Sequence, residues 1–209
     1  LAGTILKGRE PLTSAADVCS PGPLEQLRRT LTEHLAAGGI VLLGEVHDNG
    51  GHHALRGYLL DVIAADLARL GRRPPAIVME HLRTDQASVL GQAAPIPTGN
   101  ALSEAQALLA KLDWPNSGWP SGELFLPIFE AAIAHRLPLL PGHPTRPEVR
   151  DVARKGVAAL PAETIARLGL DATLPQPLAD ALLDELEASH CGLMPRTAFA
   201  NMALAQRYR

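Results

Sequence analysis

Cysteine is nearly absent: the 209 residues hold only Cys19 and Cys191. No C-x-x-C occurs, which excludes a zinc knuckle and a thioredoxin-type motif. The two are far apart, so they are either reduced thiols or one long-range disulfide that requires an oxidising compartment. Lys/Arg-rich runs are also missing. The net charge is -3 with acids and bases interspersed, which leaves nucleic-acid binding without an electrostatic footing. No apolar run reaches transmembrane length. No signal peptide opens the chain, which begins at Leu1 rather than Met, so the expectation is that a leading segment was removed. G-x-S-x-G is absent, and with it the serine-hydrolase elbow. H-E-x-x-H, Walker A and G-x-G-x-x-G are absent as well.

What remains has ordinary globular composition, 46% apolar and 20% charged, enough for one domain with its own core. Ile40-Val41-Leu42-Leu43 reads as a buried strand, and Asn49-Gly50-Gly51 as the turn after it. Leu24, Leu27, Leu31 and Leu35 mark a helix face before that strand, ended by Gly38-Gly39. Leu55, Leu59, Val62, Ile63 and Leu70 mark a helix over 51–70, stopped by Gly71 and Pro74-Pro75. Ala76-Ile77-Val78-Met79 is a second apolar run, giving a strand-helix-strand unit of parallel-crossover length. Thr4-Ile5-Leu6 is a short candidate strand. Further helices are expected over 84–92, 102–112 and around Phe125–Ile133, with Pro127 near the first turn. Leu137-Pro138-Leu139-Leu140 is a third run, and the remainder is helical over 146–157, 161–168, 176–188 and 195–209. A right-handed crossover brings the strand ends to one edge. The reading is a single α/β domain.

Ionisable residues collect at those expected strand ends: Glu45, His47 and Asp48 at the first, Glu80 and His81 at the second, His143 at the third. In an open parallel sheet such ends share a crevice. Carboxylates and imidazoles there could hold a metal or run acid/base chemistry. The helix that follows points its amino end the same way. His52 and His53 are adjacent on that helix and cannot both face the crevice. His81 points to the other side of its strand and reads as structural. His143 is either a crevice residue or part of a Pro-Gly-His-Pro turn. Trp114 and Trp119 lie in a Pro-stiffened loop that either covers an apolar ligand or closes the core.

These same residues carry a resemblance. Leu42-Leu43-Gly44-Glu45-Val46-His47-Asp48-Asn49 with His52-His53 resembles the signature of the ChaN family. These are bacterial haem-binding, iron-regulated lipoproteins of the haem-binding-uptake/Tiki superfamily. Met79-Glu80, Leu112-Asp113-Trp114-Pro115, Pro127-Ile128-Phe129-Glu130-Ala131-Ala132 and His190-Cys191-Gly192-Leu193-Met194-Pro195 follow in the family's order, with Met202 and Ala205-Gln206-Arg207 behind them. The resemblance implies a mostly parallel central sheet flanked by helices on both faces. It implies haem as cofactor, iron or haem uptake as role, and a periplasmic or membrane-anchored lipoprotein held by an N-terminal lipid; a cytoplasmic protein is the alternative. In the characterised type of member, two haems stack across a homodimer, with tyrosine as iron ligand and histidine nearby. The haem contacts expected here are His47, His52, His53, His143, Trp114, Trp119 and Tyr58. Phe125 stands where many relatives have the tyrosine of Tyr-x-Pro.

The wider superfamily contains Tiki metalloproteases and erythromycin-esterase-like hydrolases, whose early motif Gly44, Glu45, His47 and Glu80 match. The alternative this implies is a hydrolase, with Glu45, His47 and Glu80 as catalytic groups or as ligands of a divalent metal. The late histidine of those enzymes would fall beyond Arg209, so the resemblance implies a further C-terminal segment.

Overall fold

The computed structural model describes residues 6–7, 10–11, 22–92, 100–191 and 193–209. Cys19, Thr4 and Ile5 lie outside them. The fold is α/β and the described residues form two compact units, one of residues 1–78 and 88–140, the other of residues 79–87 and 141–209.

In the first unit, β1 (Leu6–Lys7) and β2 (Glu10–Pro11) make a short antiparallel ladder. Helix α1 (Pro23–Ala36) starts on a proline, which loses nothing at a position whose N–H has no helical acceptor. It ends before Gly38, whose φ of +84° suits only glycine comfortably. Leu24, Leu27, Leu31 and Leu35 pack on Leu59, Ile63 and Leu67 of α2 (Gly50–Arg69), as their spacing predicts. A fully buried leucine of this kind contributes about 1.5–3 kcal/mol over an exposed one.

Strand β3 (Ile77–Arg83) leads through a 3-10 turn into α3 (Ala87–Gln92). Helices α4 (Ala101–Lys111) and α5 (Gly122–Ala134) follow, then β4 (Leu139–His143), which pairs with β3 in a two-stranded parallel sheet. Helix α5 packs along α2. The contact is close because Gly57 faces Pro127: a Cβ on Gly57 would lie 2.6 Å from the Pro127 backbone. Pro127 sits inside α5 rather than at its first turn.

The first expected strand and the turn after it differ from the sequence reading. Residues 40–43 belong to neither sheet among the described residues. Their burial alternates, and Ile40 and Leu42 are 82% and 91% exposed. An apolar run signals extended backbone, but a strand also needs a hydrogen-bonded neighbour, and composition does not specify one. Val78 and Leu140 are exposed too, and the described residues show a small two-stranded parallel sheet without its full flanking by helices on both faces. The turn also comes earlier than expected, at His47-Asp48; Asn49 caps α2 and Gly50-Gly51 form its first turn.

The second unit holds α6 (Arg146–Lys155), α7 (Ala162–Leu168), α8 (Gln176–Ser189) and α9 (Ala200–Tyr208), close to the expected spans. Helix α6 opens on a reciprocal cap, in which Thr145 Oγ1 accepts from Glu148 N–H and Glu148 accepts from Thr145 N–H. Helices α6 and α9 pack together, and Arg196 ties Asp184 and Glu187 of α8 to the turn before α9.

Candidate functional site

The first unit builds its site from one loop, one helix and one turn. The loop carries Glu45 and His47. The helix is α2, whose Asn49 cap accepts from the N–H groups of Gly51 and His52 and fixes where the first two turns begin. That start places His53 and Arg56 one turn apart on the same side.

Glu45 is the centre. Its side chain is 3% exposed, and a carboxylate so placed needs charged partners. Arg56 forms an ion pair with Glu45 Oε2. His53 Nδ1 is 3.2 Å from the same oxygen. The other oxygen, Oε1, accepts from His47 Nδ1 at 2.8 Å. His53 is fully buried, donates from Nε2 to the His47 carbonyl at 2.9 Å, and lies against Phe125 with ring centres 4.1 Å apart. The carboxylate thus holds the His47 side chain and the imidazole of His53 holds its backbone.

His47 differs from its neighbours in being reachable, with 44% of its side chain exposed. In the neutral ring, with the Nδ1 hydrogen given to Glu45, the lone pair is on Nε2. A carboxylate behind an imidazole is the arrangement that orients histidine ligands of metals and raises their basicity. Trp119 stands edge-on to the ring at 4.8 Å. Trp119 is half-buried, whereas Trp114 is buried, donates from Nε1 to the Pro120 carbonyl, and packs on Phe125 and Phe129. Of the two tryptophans, Trp114 closes the core and Trp119 borders the site. The turn between α4 and Trp114 needs Asp113 in the left-handed region, φ +52°, and Asn116 Nδ2 steadies its carboxylate at 2.9 Å.

The other expected residues are distributed as follows. His52 is exposed, and its Nδ1 accepts from Val46 N–H, so it braces the loop while His53 faces inward. Tyr58 lies on α2 within electrostatic reach of Arg28 of α1. Phe125 is fully buried in the core, with no ligand atom to offer. In the second unit, Glu80 is exposed and His81 buried on β3. The strand continues past both to Arg83, so they stand within it rather than at its end. His143 does end β4; its Nδ1 donates to the Pro144 carbonyl and its Nε2 accepts from Arg209. Cys191 is an exposed free thiol.

Arg56 is the residue that pattern reading missed. Its signal was available: an arginine three residues after His53, on the helix side that otherwise turns inward. The donor set fits an iron porphyrin. An imidazole is a common haem-iron ligand, this one has its tautomer fixed, and an indole lies beside it.

No curated protein and no solved structure matches the chain. A family model does, over residues 31–209, and it is described as haem-binding uptake, Tiki superfamily, ChaN. The matched span contains the whole Glu45–His47–His53–Arg56 cluster, and over that span the chain belongs to the ChaN haem-binding-uptake family of the Tiki superfamily.

Proposed function

We propose that this protein binds haem through the Glu45–His47 pair and serves bacterial haem or iron uptake. The observation that carries the reading is the partly exposed His47 imidazole, held at Nδ1 by a buried carboxylate. His47 is the iron ligand on this reading, and Trp119 lies beside the porphyrin. Haem, when bound, would supply an iron centre for His47 to hold; the chain's own part is to present Nε2 of His47 and keep the ring from turning. Membership of the family supports the uptake role. The proposal further includes a location outside the cytoplasm, attachment through an N-terminal lipid, and a homodimer with haem between protomers.

Titrating the purified protein with hemin tests this. A saturable shift of the Soret band at fixed stoichiometry is expected, lost in His47→Ala. A wild-type protein that forms no stoichiometric complex overturns it.

The carboxylate–imidazole pair also supports a second reading, a metal-dependent hydrolase in which Glu45 and His47 act as metal ligands or as general base. Elemental analysis and a screen of ester and peptide substrates separate the two. Bound divalent metal with hydrolysis abolished by Glu45→Gln favours the hydrolase.

A further inference from the structure

We propose that Arg56 is the positioning residue of the site: it anchors the Glu45 carboxylate so that His47 is locked with its hydrogen on Nδ1 and its lone pair on Nε2. The inference rests on His47 being the ligand of the haem reading, and it adds a residue that no part of that reading requires.

The geometry divides the carboxylate's work between its two oxygens. Oε2 faces the guanidinium of Arg56 and the Nδ1 of His53; Oε1 alone meets His47. A carboxylate with both oxygens facing one imidazole can rotate and still keep a contact. Here rotation about the last bond of Glu45 would take Oε2 away from Arg56, so the ion pair resists it. Arginine suits the task because its charge is permanent. The Arg56 side chain is only 16% exposed, so water screens the pair little. Its own position is set in turn by α2, seated on α5 through the Gly57–Pro127 approach.

Without the guanidinium, Oε2 loses the ion pair that resists rotation about the last bond of Glu45. Oε1 then leaves His47. The His47 ring, 44% exposed, gains freedom to place its hydrogen on either nitrogen. Half of the ligating lone pairs at Nε2 are lost in an even mixture, and the ring's direction is lost with them. An outer partner of this kind typically changes ligand affinity by about 10–100-fold. A purely structural Arg56 would instead lower the melting temperature and leave the His47 tautomer as it is.

The test reads the tautomer in the ligand-free full chain, by two-bond proton–nitrogen correlation of the imidazoles with His47→Ala to assign the signals. Wild type is expected to show a protonated Nδ1 and a pyridine-like Nε2 at His47. Arg56→Met is expected to show averaged nitrogens and to weaken hemin binding by about 10–100-fold, and Arg56→Lys, which keeps the charge, to restore the wild-type pattern. An unchanged tautomer and hemin affinity in folded Arg56→Met overturns the proposal. So does a folded Arg56→Lys with averaged nitrogens, and that variant decides the matter if Arg56→Met does not fold. If wild type binds no hemin, the haem reading fails, while the tautomer of the ligand-free protein still judges Arg56.

Discussion

Glu45 and Glu25 both sit beside arginine side chains, and both lie in the first unit. Glu45 meets Arg56, His53 and His47 with 3% of its side chain exposed. Glu25 meets Arg28 at 2.7 Å and Arg29 at 2.9 Å, one and the same helix supplying all three, and it is 32% exposed. The chemistry is the same and the surroundings are opposite. On α1 the pairs are local, spaced i,i+3 and i,i+4, and form as soon as the helix does. At Glu45 the partners come from a loop and from a different helix, so the cluster exists only when the unit is folded. Water can replace any partner of Glu25. Glu45 is enclosed by the folded unit, with 3% of its side chain exposed. The first kind of cluster decorates a helix, while the second dictates where a functional side chain points.

The comparison breaks first at Glu45. Glu45→Ala leaves the guanidinium of Arg56 and the ring of His53 facing each other without a counter-charge. Breaking a buried pair from one side is expected to cost about 3–5 kcal/mol, read from the urea midpoint at neutral pH. A loss below about 1 kcal/mol, the value for surface pairs, would place Glu45 with Glu25 and remove the contrast.

The scaffold of the buried cluster comes next. Gly57→Ala puts a methyl group against the Pro127 backbone, which cannot swing aside as a side chain would. Helices α2 and α5 must separate, and overpacking of this kind costs about 1–3 kcal/mol. Hemin affinity is expected to fall along with stability, since Arg56 precedes Gly57 on α2. Ala68, exposed near the end of the same helix, gives the control: Ala68→Ser should change stability by no more than about 0.5 kcal/mol.

The same contrast explains what could be read from the sequence and what could not. Helix periodicity and capping signals are local, so α2 was placed to within a residue or two from its leucines and from Gly71. The opposed roles of His52 and His53 followed from their adjacency on a helix. The Glu45–His47 signature was visible because glycine, carboxylate and imidazole crowd the end of an apolar run. What depends on partners distant in sequence was not visible. Ile40–Leu43 has the composition of a strand, yet no neighbour pairs with it among the described residues. Glu80 follows an apolar run, yet β3 carries on through it because His81 and Leu82 are buried in alternation with it and beyond. Arg56 belongs to no motif of the sequence reading, and packing shows it turned inward against Glu45. Phe125, judged a missing ligand, proves to be the ring on which His53 rests.

The smallest expected effect sharpens the comparison from the exposed side. The hydrogen bonds from Arg28 and then Arg29 pull the Glu25 carboxyl down from 4.5 to about 2. A carboxylate whose folded pKa is depressed stabilises the fold fully above its unfolded value and loses that contribution as pH falls through its folded value. The contribution of Glu25 is therefore present above 4.5, declines between 4.5 and about 2, and is gone below. Glu25→Gln is expected to melt below wild type at pH 6, with the gap closing steadily through that window. Raising the salt should shrink the gap at pH 6, because ions screen an exposed pair. Salt should leave the Glu45→Ala deficit nearly unchanged, because the ions cannot reach a carboxylate that the folded chain encloses. Equal salt sensitivity of the two deficits would mean that Glu45 is as hydrated as Glu25, and the positioning role of Arg56 would lose its physical basis.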